Sequence, residues 1–314
     1  MSNNGSILTI VGPTAVGKTS VAINVAHKIG GEIIGLDSRQ IYKGMTIGTA
    51  QPSKKELEQI PHHFISTREP NETISAGEYS HLVNKQIQEI RNRDKEPIIC
   101  GGAGLYLEAL TKGIFEGSVA DLEIRERLNA EYDQDPNVLM KRLTEIDPEY
   151  AVIVHPNNKK RLVRALEIFE ITGKPPSDHH ANQSTDLQND FSFCTILLSM
   201  DMEKLEQRIR ERTQKMLANG WIEETKDLLE KYSVNEAHAL DSIGYRQICQ
   251  HLNGEYSLAE VEDEIVLRTR QYAKRQLTWF RNRSKAIEID VEKSNNVNKL
   301  TQEIISIWKR SKTH

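Results

Sequence analysis

The feature that most constrains this chain is the run Gly12-Pro-Thr-Ala-Val-Gly-Lys-Thr19, which fits the phosphate-loop pattern G-x-x-x-x-G-K-[ST] at every position. Its glycines let backbone N–H groups turn inward around an anion, and the helix that follows adds its positive N-terminus. Lys18 is expected to reach the outer phosphate oxygens and Thr19 to offer a hydroxyl to Mg²⁺. The flanks are those the loop needs. The β-branched run Ile7-Leu-Thr-Ile-Val11 precedes it, and Val21, Ala22, Val25, Ala26 and Ile29 recur at helical spacing after it. Gly12, Pro13, Thr14, Ala15, Val16, Gly17, Lys18 and Thr19 are therefore the candidate phosphate-binding residues.

The surrounding pattern extends this unit into an α/β core. Gly30-Gly31 ends the first helix, Glu32–Asp37 reads as a second strand, Ala76–Arg93 as a helix, and Pro97–Cys100 as a buried strand running into Gly101-Gly102. A further helix is expected from about Ala103 to Thr111. Alternating strands and helices imply right-handed βαβ units on a parallel sheet. From 113 to 190 only helices are expected, at Leu122–Tyr132, Asn137–Glu145 and Arg161–Thr172, followed by a loop from Gly173 to Asn189. Phe193–Met200 returns to strand and a long helix follows from Leu205. The expectation is a phosphate-loop core of 1–112 and 191–314 with a helical insertion at 113–190.

Composition excludes several classes. The 314 residues hold three scattered cysteines, Cys100, Cys194 and Cys249, with no CxxC pair, which argues against a disulfide scaffold and a zinc ribbon. The adjacent pairs His62-His63 and His179-His180 lack metal-ligand spacing and read as surface or loop histidines. No stretch approaches the roughly 18 uncharged apolar residues of a membrane span. A monomer in the cytoplasm, without membrane contact, is expected. The net charge of −4 is unevenly spread, at +1 over 1–112, −6 over 113–190 and +1 over 191–314. Residues 265–287 hold Arg268, Arg270, Lys274, Arg275, Arg281, Arg283 and Lys285 and no acid, which can form a surface for a phosphate backbone.

A phosphate cradle leaves the reaction open between a nucleotide hydrolase, a phosphoryl-transfer kinase and an enzyme that holds another diphosphate. No GTPase base-reading motif is present, and the Pro97–Cys100 strand does not end in the aspartate of a motor ATPase. The strand that does is the second, at Asp37, on the sheet edge where ligands bind in this architecture. A carboxylate there can act as a general base; it can equally cap a following helix. Ser38, Arg39 and Gln40 follow it with donors that can pair with or stack on a base. A small-molecule kinase, and an RNA-binding module with a vestigial nucleotide site, stand as alternatives.

Several blocks taken together are specific. The phosphate loop, Asp37-Ser-Arg-Gln-Ile-Tyr-Lys-Gly44, Ile47-Gly-Thr-Ala50, Gly101-Gly-Ala-Gly-Leu-Tyr106, His155-Pro-Asn157, Arg161-Leu-Val-Arg-Ala-Leu-Glu167, Gly244-Tyr-Arg-Gln247 and Arg270-Gln-Tyr-Ala-Lys-Arg-Gln-Leu-Thr-Trp279 run through nearly the whole chain. In them the chain resembles the bacterial tRNA dimethylallyltransferases. The resemblance implies transfer of the dimethylallyl group of dimethylallyl diphosphate to N6 of the adenosine on the 3′ side of the anticodon. The phosphate loop, Lys18, Arg212 and Mg²⁺ would then hold the departing diphosphate, and Asp37 would take the N6 proton.

The resemblance also implies an RNA-facing surface. Asp37, Ser38, Arg39 and Gln40, Arg161 and Arg164, Ser242, Gly244, Tyr245 and Arg246, and Arg125 in the insertion would line the anticodon stem-loop. At 100° per residue, 265–281 separates an apolar face of Val266, Ala273, Leu277 and Phe280 from flanks carrying Arg270 with Lys274 and Arg268 with Arg275. Phosphate contact by Arg270, Lys274 and Arg275 is expected, and Tyr272, Trp279 and Phe280 are expected in the core. The chain departs from the family at Ala103, where threonine is usual, so a hydroxyl contact to RNA there is lost or remade by backbone. It departs again at Thr46 and Gln51, where Asp and Lys are common.

Overall fold

The computed structural model describes residues 5–113, 121–181, 191–234, 236–294 and 296–312. In chain order the elements are β1 (Ile7–Val11), α1 (Lys18–Ile29), β2 (Gly31–Leu36), α2 (Lys54–Gln59), β3 (His62–His63), α3 (Ala76–Arg91), β4 (Glu96–Gly101) and α4 (Gly104–Lys112). Then come α5 (Leu122–Gln134), α6 (Pro136–Ile146), α7 (Pro148–Ala151), α8 (Lys159–Thr172) and α9 (Pro176–Ala181). The chain closes with β5 (Phe193–Ser199), α10 (Met202–Ala218), α11 (Trp221–Lys231), α12 (Tyr245–Leu252), α13 (Leu258–Arg283), β6 (Ile287–Asp290) and α14 (Val297–Ser311).

Six strands form one sheet in the order β3-β2-β4-β1-β5-β6, and every neighbouring pair is parallel. This is the phosphate-loop α/β sheet expected from the alternating pattern. β1 is buried at all five positions, as a strand covered on both faces must be. Its C-terminal end feeds the loop of Gly12–Thr19. β2 and β4 are pinned together at the same edge, because the backbone amides of Gly102 and Ala103 both donate to Leu36 O, at 3.0 and 3.1 Å. That pinning carries Asp37 to the edge where the phosphate loop lies.

The chain divides into two compact units, one of 1–74, 78–111 and 190–314 and one of 75–77 and 112–189. Two apolar clusters lie within the first. One joins the strands to α1, α10 and α14 through Leu8, Ile10, Val25, Ile196, Leu205 and Ile304. The other joins Ile41, Tyr42 and Met45 to Trp221, Leu240, Tyr245, Ile248 and Ile265. The second unit has its own core of Leu128, Leu139, Leu143, Leu162, Val163 and Leu166. Among its described residues only helices occur, each of α5 to α8 opened by an Asp or Asn cap: Asp121, Asp135, Asp147 and Asn158.

Several boundaries differ from the sequence reading, each for a local reason. The long helix from Leu205 is two helices, because Gly220 at φ 96° breaks it and opens α11. The loop predicted after Gly173 contains α9, and His179 there bonds to Thr172 at 2.9 Å; the side chain of His180 and residues 182–189 lie outside the described residues. His62 and His63 are not loop histidines. They form the edge strand β3, where His63 Nε2 lies 2.7 Å from the buried Glu32.

Candidate active site

The phosphate loop takes the backbone shape its composition allows. Gly12 sits at φ 153° with the carbonyl of Leu198 only 2.5 Å from where a Cβ would stand, and Gly17 caps α1 at φ 104°. Ala15 adopts φ 65°, a left-handed conformation uncommon for a residue with a side chain. Among the described residues, the amides of Gly17, Lys18 and Thr19 make no hydrogen bond, which leaves a set of free donors at the start of a helix, an arrangement able to cradle an anion. The Thr14 amide is already engaged, donating to Gln276 Oε1 at 2.9 Å. Lys18 folds back on the loop, donating from Nζ to Gly12 O at 3.0 Å and Pro13 O at 2.8 Å.

A cavity of about 280 Å³ opens beside this loop. Its polar side carries Thr14, Asp37, Ser38, Arg39, Arg212 and Ser242; its apolar side carries Ile209, Met216, Trp221, Ile243 and Ile265. Polar groups converging on an apolar pocket are the usual signature of a small-molecule site. Burial lowers the pKa of Lys18 to about 8, against the opposing pull of Cys100 and Asp37. Burial also lowers that of Arg212, again opposed by Asp37. Two cations held against their desolvation thus share one carboxylate, an arrangement with capacity for a polyanion.

Asp37 does not cap a helix. Its Oδ1 accepts from the amides of Arg39 at 2.8 Å and Gln40 at 3.3 Å, fixing a turn, and its other oxygen makes no hydrogen bond among the described residues. The carboxylate is thereby oriented without being saturated. Thr19, on the first turn of α1, offers a hydroxyl beside the free loop amides. No cluster of three His, Cys, Asp or Glu side chains that could hold a metal occurs among the described residues. A Mg²⁺ brought in on phosphate oxygens would find the Thr19 hydroxyl beside those amides.

Other expected contacts are rearranged. Gln40 donates its Nε2 to Thr49 O and Ala50 O, at 3.1 and 2.8 Å, which braces the loop and leaves its side-chain oxygen uncommitted among the described residues. Ala103 cannot remake a contact through its amide, which is bonded to Leu36 O. Tyr245 is wholly buried, with its hydroxyl 2.6 Å from Glu224, and Gly244 is buried with no room for a Cβ against the Trp221 ring. Those two residues support the cavity wall and do not face solvent, while Ser242 and Arg246 on either side remain accessible. Arg246 is paired with Asp241.

Four basic residues of α13 have acidic partners just beyond or far from the acid-free window at 265–287, which the window conceals. Arg268 pairs with Glu264, Arg270 with Glu206, Arg281 with Glu288 and Arg283 with Glu108. Lys274 makes no ion pair among the described residues, and Arg275 lies 5.9 Å over the Tyr272 ring. The predicted apolar face is buried at Val266, Ala273, Leu277 and Phe280. Tyr272 is not core: it is 36% exposed and lines the cavity, with its hydroxyl pushed up to about 12 by lost solvent and by Asp37. Trp279 is half-buried against Phe280.

In the helical unit, Glu167 is fully buried and accepts from Arg125 at 2.9 Å, lies 2.8 Å from Arg164, and accepts the amide of Asp121. Lys159 is tied to Asp133, and Arg161 is exposed. Thr46 and Gln51, the two departures, have structural partners in Glu224 and in the carbonyls of Gln40 and Tyr42.

Glu224 is a residue that sequence reasoning missed. It accepts from Thr46 Oγ1, from the amides of Ile47 and Gly48, and from the Tyr245 hydroxyl, at 2.6–2.9 Å. It thereby fastens the loop carrying Gly48 and Thr49 to the cavity's far wall. Nothing local in the acidic run of α11 distinguishes it from Glu223.

Comparison with known proteins gives a consistent result. A family model described as IPP transferase matches residues 40–283. The chain is 41% identical over 277 residues to the tRNA dimethylallyltransferase of Salinibacter ruber, covering 88% of this chain and 85% of that one. It is 39% identical over 302 residues to that of Bacillus licheniformis, covering 96% and 95%. The full-length tRNA isopentenylpyrophosphate transferase of Bacillus halodurans superposes with a TM-score of 0.70 at 34% identity, over 98% and 97% of the two chains. A eukaryotic dimethylallyltransferase acting on tRNA superposes at 0.78 and 30% identity, over 96% of this chain and 78% of that one. With the phosphate loop, the parallel sheet and the cavity at its edge, these matches establish that the chain belongs to the IPP transferase family, as an enzyme of the tRNA dimethylallyltransferase class.

Proposed function

We propose that this cavity transfers the dimethylallyl group of dimethylallyl diphosphate to N6 of the adenosine 3′-adjacent to the anticodon of tRNA, releasing diphosphate. The observation that carries the reading is the convergence of Asp37, Thr14 and Arg212 on one partly apolar cavity beside the free amides of the phosphate loop. The N6 lone pair forms the new bond to the terminal allylic carbon. The carbon–oxygen bond to diphosphate breaks, and its electron pair leaves on the phosphate oxygen. Negative charge grows there, and the amides of Gly17, Lys18 and Thr19, the Lys18 ammonium and the Arg212 guanidinium stabilise it more than they stabilise the ground state. The Lys18 ammonium must turn from Gly12 O and Pro13 O to do so. Asp37 accepts the proton lost from N6 through its uncommitted oxygen. Thr19 would hold a Mg²⁺ that supplies further charge neutralisation on the leaving group. Arg39 and Ser38, at the rim, and Lys274 and Arg275, on α13, would contact the RNA, with Arg125, Arg161 and Arg164 of the helical unit engaging the anticodon stem-loop.

The test is a transfer assay with Mg²⁺, radiolabelled dimethylallyl diphosphate and unmodified tRNA bearing adenosine after the anticodon. Label recovered in N6-modified adenosine is the expected result. Label on free adenine nucleotide but not on tRNA, or ATP consumed against small hydroxyl acceptors with no label transferred, would overturn the reading.

A further inference from the structure

The buried face of α13 carries one polar side chain where helical spacing calls for an apolar one. Gln276 lies beside Ala273, Leu277 and Phe280 and is 7% exposed. A buried amide left unpaired is costly, so its partners are informative. Its Oε1 accepts the Thr14 amide at 2.9 Å, and its Nε2 donates to Gly102 O at 2.9 Å. The two partners are 262 and 174 residues away in sequence. One is the third residue of the phosphate loop; the other is in the turn after β4, where a Cβ on Gly102 would stand 2.3 Å from Gln276 Nε2. One turn earlier on the same helix, Tyr272 lines the cavity with Thr14 and Asp37. Between them, Lys274 and Arg275 project on the exposed side.

We propose that Gln276 is a positioning residue for the donor site: it locks the Pro13–Thr14 peptide of the phosphate loop to α13, so the helix that presents Lys274 and Arg275 outward also sets the loop's shape inward. The inference rests on the phosphate loop holding the diphosphate of the donor. Gln276 does not line the cavity, whereas Thr14, whose amide it holds, does, so its effect is exerted through Thr14 and the loop amides that follow. A loop released from α13 would have to be ordered by the ligand itself, which lowers affinity for the ligand and leaves the chemical step intact once the site is filled.

The experiment uses the full chain with Gln276→Met, which matches the side chain in length and removes both hydrogen bonds. A second variant, Gly102→Ala, displaces the Gln276 amide without altering it. The expected result for both is a rise in KM for dimethylallyl diphosphate, and in Kd for inorganic diphosphate with Mg²⁺, of roughly five- to tenfold, with kcat at saturating donor within about threefold and tRNA affinity unchanged. A residue needed only for folding would lower kcat through a smaller active fraction and leave KM where it was. If wild-type enzyme binds inorganic diphosphate but both variants match it in Kd and KM, the positioning role is overturned while the donor-site reading stands. If the wild-type enzyme fails to bind inorganic diphosphate at all, the donor-site reading falls and takes this inference with it.

Discussion

Lys18 and Arg212 beside the cavity and Lys274 and Arg275 on α13 carry the same formal charge under opposite conditions. Burial works against the charge of the first two, and Asp37 partly restores it. The second two are exposed, and their neighbours on the helix hold carboxylates through half-exposed ion pairs. Pairs of that kind are generally worth about 0–1 kcal/mol and exchange readily for other anions. The contrast teaches that charge read from a sequence has two physical meanings. A desolvated cation strengthens sharply when the right anion enters a dry site, which suits transition-state charge. A solvated cation trades counterions for phosphates, which suits RNA.

The largest expected difference comes from removing one cation of the first kind. Arg212→Met should lower kcat/KM for the donor by roughly 10²–10³-fold and leave tRNA affinity unchanged, as read by steady-state kinetics and filter binding. Equal losses in both would mean that Arg212 serves RNA binding as much as the donor site. Next, the buried lysine should make donor use pH-dependent. Lys18 is protonated below about 8, so kcat/KM for the donor should be flat below that value and fall about tenfold per pH unit above it. A Lys18→Arg enzyme, still charged, should lose the bend; a bend that persists would assign it to another group. The smallest effect belongs to the exposed pair. Lys274→Ala with Arg275→Ala should weaken tRNA binding and reduce the salt slope of log Kobs by about 1–2, with donor KM unaltered. An unchanged slope would remove α13 from the RNA interface.

How much of this was legible in the sequence follows from the range of the interactions involved. The phosphate loop is a local object: its glycines, its lysine and the strand and helix around it are contiguous, and Gly12–Thr19 folds as the pattern dictates. Asp37 was also visible, because a carboxylate at the end of a buried run needs only β2 to place it. The apolar stripe of α13 could be read from spacing alone. What could not be read is what packs against what. Gln276 looks like any polar residue on a basic helix until the phosphate loop is beside it. Glu224 matches Glu223 until the Thr46–Gly48 loop meets it, and Tyr245 looks like an RNA-facing residue until Trp221 and Glu224 enclose it. The acid-free window at 265–287 suggested bare charge because Glu206, Glu108 and Glu288 lie outside it. The short strands β3 and β6 escaped for a related reason. Their residues carry little strand pattern of their own, and parallel pairing with β2 and β5 defines them.

In the proposed reaction Asp37 acts on the proton of the acceptor while the cations beside it act on the leaving group. Single-turnover transfer by Asp37→Asn, with tRNA affinity measured on the same preparation, tests it most directly. The substitution keeps the shape and an oxygen for the Arg39 and Gln40 amides. A general base at Asp37 predicts a fall of about 10²–10⁴-fold in the transfer rate, with tRNA affinity within about threefold of wild type. A transfer rate close to wild type, or a loss of tRNA affinity as large as the loss of rate, would contradict it.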